Sequence, residues 1–183
     1  PLWSRGLGDV YKRQVMRRSA EHYSHAPESW RNLDDDAAAL LVEVGGSDEA
    51  DLNKAMDRLR TVLADAPLLR PLEFLTTAEG MRGAWELRNG LYGLLGADRP
   101  NGTAYITEDV CFPPSQVGEA AADLLDLQAK YGYPESVMGH AAFGNLHFFF
   151  TPRFDVEEER ESYAAFLDDL AELVIDKLSL IHI

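Results

Sequence analysis

Cysteine is nearly absent. The single Cys111 among 183 residues excludes an internal disulfide and fits a reducing compartment. Its neighbours Val110 and Phe112 are apolar, which suits a buried inert thiol better than a nucleophile. Long apolar runs are missing too: none approaches the roughly 20 residues of a membrane span. The expected location is cytoplasmic, with a peripheral association with a membrane left open. Basic residues are scarce. Lysine and arginine number 17 against 31 aspartates and glutamates, a net charge of −14. That balance argues against nucleic acid or anionic lipid as a partner. There is no internal repeat and no low-complexity stretch. What the chain does have is 46% hydrophobic residues, enough at this length for one domain with a core.

Both ends read as foreign. Residues 4–14 can be back-translated in frame into a transposon-based sequencing-library adapter. Residues 178–183 can be back-translated into the reverse complement of the same adapter end. A matching pair flanking one chain hardly arises by chance, so 1–14 and 178–183 are set aside from fold reasoning. Removing Arg5, Lys12, Arg13 and Asp9 takes away a net +2 and leaves −16. The expectation is an internal piece of a longer protein. Residues 15–36 read as a polar connector with surface histidines His22 and His25, and 37–177 as the domain.

Within 37–177 the hydrophobic spacing alternates between two periods. Residues 37–44 are a short apolar run ended by Gly45-Gly46, which predicts a buried strand. Ser47 followed by acids predicts a helix start, with Leu52, Met56, Leu59 and Leu63 on its core face. Residues 70–75 predict a second strand. A helix follows over about 78–95, capped by Thr76 or Thr77, with Trp85, Leu91, Tyr92 and Leu95 on one apolar side. Arg88 lies on that side. Its guanidinium either snorkels from the core edge or is aimed into a site. Residues 103–111 alternate and are β-rich, which predicts a third strand. Residues 115–131 predict an amphipathic helix after two prolines, and 155–177 a final helix whose first-turn acids suit its dipole. The predicted order is β-α-β-α-β-α-β-β-α. It implies an α+β fold: a mixed, mostly antiparallel sheet with helices packed on one face, of ferredoxin-like character.

The two consecutive strands hold the candidate chemistry. In Gly139-His140-Ala141-Ala142-Phe143-Gly144-Asn145-Leu146-His147, the Gly144-Asn145 pair can turn the chain. With those two as the central loop residues, Ala142 sits opposite His147. His140 and His147 then share a face as diagonal neighbours, roughly 7–8 Å apart. Two imidazoles at that spacing can close on one metal ion at about 2.0–2.1 Å. Taken alone, such a pair is more often a half-buried hairpin with two incidental histidines.

Three segments together resemble one family. Trp85-Glu86-Leu87-Arg88-x-Gly90-Leu91-Tyr92, Glu108-Asp109-Val110-x-Phe112-Pro113, and Gly139-His140-x-x-x-Gly144-Asn145-Leu146-His147-Phe148 occur here in order. They are similar to the C-terminal substrate domain of FAD-linked oxidases, the flavoprotein D-2-hydroxyacid dehydrogenases. These include the cytochrome-type D-lactate dehydrogenases and the D-2-hydroxyglutarate dehydrogenases. The resemblance implies FAD, bound mainly by an upstream domain, and a divalent metal, zinc or manganese, on His140 and His147. It implies Arg88 and Asn145 as substrate-binding residues and a catalytic base beyond Lys177, in a Glu-His-Gly motif that would also give the third metal ligand. An iron–sulfur module further downstream follows from likeness to long bacterial members. The implied partners are a small 2-hydroxy acid and an electron acceptor, whether cytochrome, quinone or electron-transfer protein. Some D-2-hydroxyglutarate enzymes carry a lysine two residues before the aspartate of the third strand, where this chain has Thr107. That leaves a dicarboxylate substrate open. The rival reading is a non-catalytic ferredoxin-like module that binds a ligand or another subunit.

Overall fold

The computed structural model describes residues 8–24, 26–34, 37–97, 99–134, 136–177 and 180–181. His25, expected at the surface, lies outside the described residues, as do the side chains of Leu91, Tyr92 and Leu95. The described elements are an α+β fold. Six strands, β1 (Gly8–Lys12), β2 (Ala38–Val42), β3 (Ile106–Cys111), β4 (Met138–His140), β5 (Asn145–Phe150) and β6 (Leu180–Ile181), form one sheet in the order β2-β1-β4-β5-β3-β6. Every described pairing is antiparallel. Five helices accompany them: α1 (Arg13–His22), α2 (Glu49–Val62), α3 (Ala78–Ala97), α4 (Val117–Lys130) and α5 (Glu157–Asp176).

Alternation along β5 divides the core. Leu146, Phe148 and Phe150 point to one face, where Val117, Leu124 and Leu125 of α4 meet Phe166, Leu170 and Val174 of α5. Phe166 is fully buried there, with its ring 5.1 Å from that of Phe150, 5.2 Å from Tyr133 and 5.6 Å from Tyr131. These tilted and edge-on contacts suit the ring quadrupoles. Phe149 points the other way, into a second cluster with Met16, Ala37 and Met138. Lys177 ties the end of α5 to α4 through Asp123 and Glu119, at 2.7 and 2.9 Å.

A buried polar pair fixes where β4 begins. The Gln128 side chain of α4 accepts from the Ser136 amide at 3.0 Å and donates to its hydroxyl at 3.3 Å. That hydroxyl donates to the Phe149 carbonyl at 2.6 Å and accepts from the Phe149 amide at 3.1 Å. One serine thus occupies the ladder position just before β4, and none of these buried groups is left without a partner.

Several expected elements differ. The 70–75 strand does not form: residues 67–77 contain no helix or strand, and Leu69 and Leu75 are 65% and 47% exposed. Without a neighbour to pair with, an apolar run stays extended chain. In α2 the cap is Asp48, which accepts from the Asp51 amide at 2.8 Å, and Ser47 bonds Asp51 in turn. Its face of Leu52, Met56, Leu59 and Leu63 is half-buried, and no α2 residue is fully buried. Residues 15–36, read as a connector, fold into α1 and a 3-10 turn (Glu28–Asn32), with Met16, Ser19 and Ala20 buried. Residues 8–12 pair with β2 and β4, and Leu180–Ile181 pair with β3. Both segments, set aside from the predicted fold, thus take part in the sheet.

Phe166→Ala should cost about 3–5 kcal/mol of stability. Phe143→Ala, at a side chain 61% exposed, should stay within about 0.5 kcal/mol. Urea unfolding of both variants checks the pair.

Candidate functional site

The site begins with the connection between β4 and β5. Ala141–Phe143 form a 3-10 turn and Gly144 follows in the left-handed region at φ 75°. The loop is therefore four residues long, not the predicted two. Its register places His140 opposite Asn145 and Met138 opposite His147. The expected partner of His147 was Ala142, so the pairing has moved by four positions. A shift by an even number preserves the faces. His140 and His147 remain diagonal neighbours on one side, their rings 5.3 Å apart and nearly perpendicular at 88°. Gly144 is required by close approach: a Cβ there would lie 1.7 Å from the Phe112 carbonyl oxygen. The Phe112 amide donates to the Gly144 carbonyl at 2.8 Å.

β3 flanks β5 on its other side and sets Asp109 opposite His147. The Asp109 Oδ1 lies 3.1 Å from His147 Nδ1 and accepts from Asn145 Nδ2 at 2.5 Å. Asn145, expected beside the substrate, thus holds the carboxylate that holds the imidazole. Asp109 belongs to the second sequence motif but not to the expected site. Only the register between β3 and β5 shows its place. Cys111, one turn of the pleat away, is half-buried, and its thiol donates to the Phe143 carbonyl at 3.5 Å.

Arg88 reaches the same cluster from α3. Its Nη2 lies 3.3 Å from each ring nitrogen of His140, and its Nη1 donates to Asn89 at 3.2 Å. Two features set α3 in position. Thr77 caps it by accepting from the Gly80 amide at 3.1 Å. Gly90 lets the Tyr23 hydroxyl come so close that a Cβ would stand 1.9 Å from it. That contact gives the glycine of the first motif its reason. Arg88, His140, His147 and Asn145 are all brought together, with Asp109 added.

Burial pushes the His147 imidazole below its ordinary pKa; Asp109 pulls the other way, and His140 and Arg88 add to the lowering. The side chain is 17% exposed. The cluster offers a guanidinium for an organic anion and imidazoles for a proton or a metal. With Nδ1 facing Asp109, a metal ion would meet His147 through Nε2, the carboxylate fixing the ring as in many metal sites. The fit is partial. Among the described residues no three His, Cys, Asp or Glu side chains group to hold a metal ion. The guanidinium beside His140 would also have to withdraw from an incoming cation.

A base whose folded-state pKa lies below its unfolded value leaves the unfolded chain holding more protons between the two. Stability then rises with pH across that interval. The stability of the protein relative to His147→Gln should therefore increase as pH rises from below toward the ordinary histidine pKa of about 6.5, read from denaturation midpoints. Parallel profiles would show that the imidazole is not depressed. Gly144→Ala should destabilise by at least about 1–3 kcal/mol, from the left-handed backbone and the Phe112 oxygen together.

Among described residues no helix is long and apolar enough to cross a membrane. No curated protein matches the chain. One family model does, that of FAD linked oxidases, C-terminal domain, over residues 11–177. The match takes in all five cluster residues and both faces of the sheet. Membership implies FAD as cofactor, a small-molecule substrate and a part in an FAD-dependent oxidoreductase. By this match the chain belongs to the family of FAD-linked oxidase C-terminal domains.

Proposed function

We propose that this domain binds a D-2-hydroxy acid, with D-lactate and D-2-hydroxyglutarate as the first candidates, for FAD-dependent oxidation to the 2-oxo acid. The observation that supports this most is the convergence of Arg88 on the histidine pair, with Nη2 3.3 Å from the His140 ring nitrogens. A guanidinium fork suits a carboxylate bidentately. Gripping the acid there puts its 2-hydroxyl next to two imidazoles. His140 and His147 would hold a divalent metal, zinc or manganese, with a further ligand from outside the described residues. Such an ion lowers the pKa of a bound hydroxyl and fixes its geometry. FAD takes up the hydride.

The residues here bind and orient. Arg88 neutralises and aligns the carboxylate. Asp109 and Asn145 hold the His147 ring in one orientation. The sequence has no G-x-G-x-x-G run, and the cluster's donors suit an organic acid. On the family resemblance, FAD is held mainly by an upstream domain, and the proton-accepting base lies beyond Lys177. The electron acceptor is a cytochrome, a quinone or an electron-transfer protein. The single cysteine fits a cytoplasmic setting.

Calorimetric titration of the 183-residue chain with zinc or manganese should show weak binding that His140→Ala removes. Tight stoichiometric binding that survives His140→Ala would sink the metal assignment. In the FAD-loaded enzyme, Arg88→Ala should raise KM and lower kcat/KM by about 10- to 100-fold. Unchanged kinetics would remove Arg88 from the substrate site.

A further inference from the structure

Arg88 has a second neighbourhood. Besides meeting His140, it forms part of the wall of a cavity of about 640 Å³ between α3, β2 and the α1 region. Met16, Trp30, Leu41 and Leu87 line it, and Leu40 and Leu75, 53% and 47% exposed, stand at its rim. Gly80, Gly83 and Ala84 of α3 face it with almost no side chain, so the room is built by the helix itself. Among its described lining residues the charged ones are Glu73, Glu79 and Arg88. One cation thus sits with two acids in a wall that is otherwise apolar apart from Thr77.

We infer that this cavity takes the side chain of the substrate and that, within the proposed class of D-2-hydroxy acids, an acid with a bulky apolar substituent, branched or aromatic, is preferred over the D-lactate and D-2-hydroxyglutarate that the family resemblance puts first. The inference rests on Arg88 as the carboxylate clamp. Arg88 lines the cavity and His140 and His147 do not, so with the carboxylate at Arg88 the hydroxyl end and the side chain of a short 2-hydroxy acid have distinct neighbours. Lactate offers one methyl group to a space in the range of pockets that enclose whole ligands. Most of the wall would then keep its water or lose contact. Each further methylene withdrawn from water adds roughly fourfold in affinity. A second carboxylate would instead enter a space lined by Glu73 and Glu79, whose like charges disfavour it.

The test is a titration of the 183-residue chain followed by amide and indole NMR signals, with Trp30 as the reporter inside the cavity. The probes are D-lactate, D-2-hydroxyglutarate, D-2-hydroxy-4-methylpentanoate, D-3-phenyllactate and riboflavin. The two apolar acids should bind about tenfold tighter than lactate, or more, and shift the Trp30 indole signal; 2-hydroxyglutarate should bind no tighter than lactate. Ala84→Phe fills the cavity and should erase the preference, so that the apolar acids bind no tighter than lactate. Leu75→Ser, at the exposed rim, should reduce the preference without risk to the core. Arg88→Ala should weaken every acid.

Equal affinities for all acids, with Arg88→Ala still weakening them, would overturn the cavity inference and leave the clamp standing. Tightest binding of 2-hydroxyglutarate would overturn it too. So would a Trp30 response to riboflavin alone, which would assign the cavity to the flavin ring. A preference for apolar acids that Arg88→Ala does not touch would place the failure in the clamp, and with it in the proposed function.

Discussion

The pairing of β5 with β4 on one side and β3 on the other is what the chemistry of this domain depends on. Three antiparallel strands bring His140, His147 and Asp109 to a single face because residues opposite one another, or two apart, share a side. The same alternation sends Leu146, Phe148 and Phe150 to the opposite face, where α4 and α5 cover them. The aromatic packing that stabilises the sheet and the polar cluster around His147 are thus two sides of one strand. A slip of β5 by one residue would exchange them, placing imidazoles in the aromatic core.

The division of labour extends to charge. The chain is strongly acidic, yet its site converges on a guanidinium. An anionic ligand approaching this domain gains little from long-range attraction and depends on the local field of Arg88, in a setting where His147 favours its neutral form. Under the proposed function recognition is short-range: a planar fork, two rings and a carboxylate whose own charge is engaged by Asn145 and His147.

The α+β class, the four downstream helices and the hairpin were legible in the sequence, because long periodic segments and the Gly-Asn turn carry strong local signals. The exact loop was not. A two-residue turn and a four-residue 3-10 turn use the same Gly144-Asn145 letters, and only the contact of Gly144 with Phe112, distant in sequence, selects the second. Arg88 stood at the right helical face, but its distance from His140 depends on Gly90 and Tyr23 meeting across α1 and α3. Asp109 was hidden for the same reason, since it is paired across a strand boundary. The polar stretch that folds into α1 misled because its buried residues are few and small. Met16, Ser19 and Ala20 make a narrow face that composition does not reveal. Residues 70–75 misled in the opposite direction: leucines at strand-like density remain exposed where no neighbour pairs with them.

The hydrogen bond between Gly144 and Phe112 bears on how the domain can respond to whatever it holds. Phe112-Pro113 leads straight into α4 on the far side of the sheet. The bend carrying the two imidazoles is therefore riveted to the helix beneath it, and tilting one means prising up the other. The acid proposed to bind at this face would meet a stiff seat, and the adjustment that admits it would fall to the long arm of Arg88.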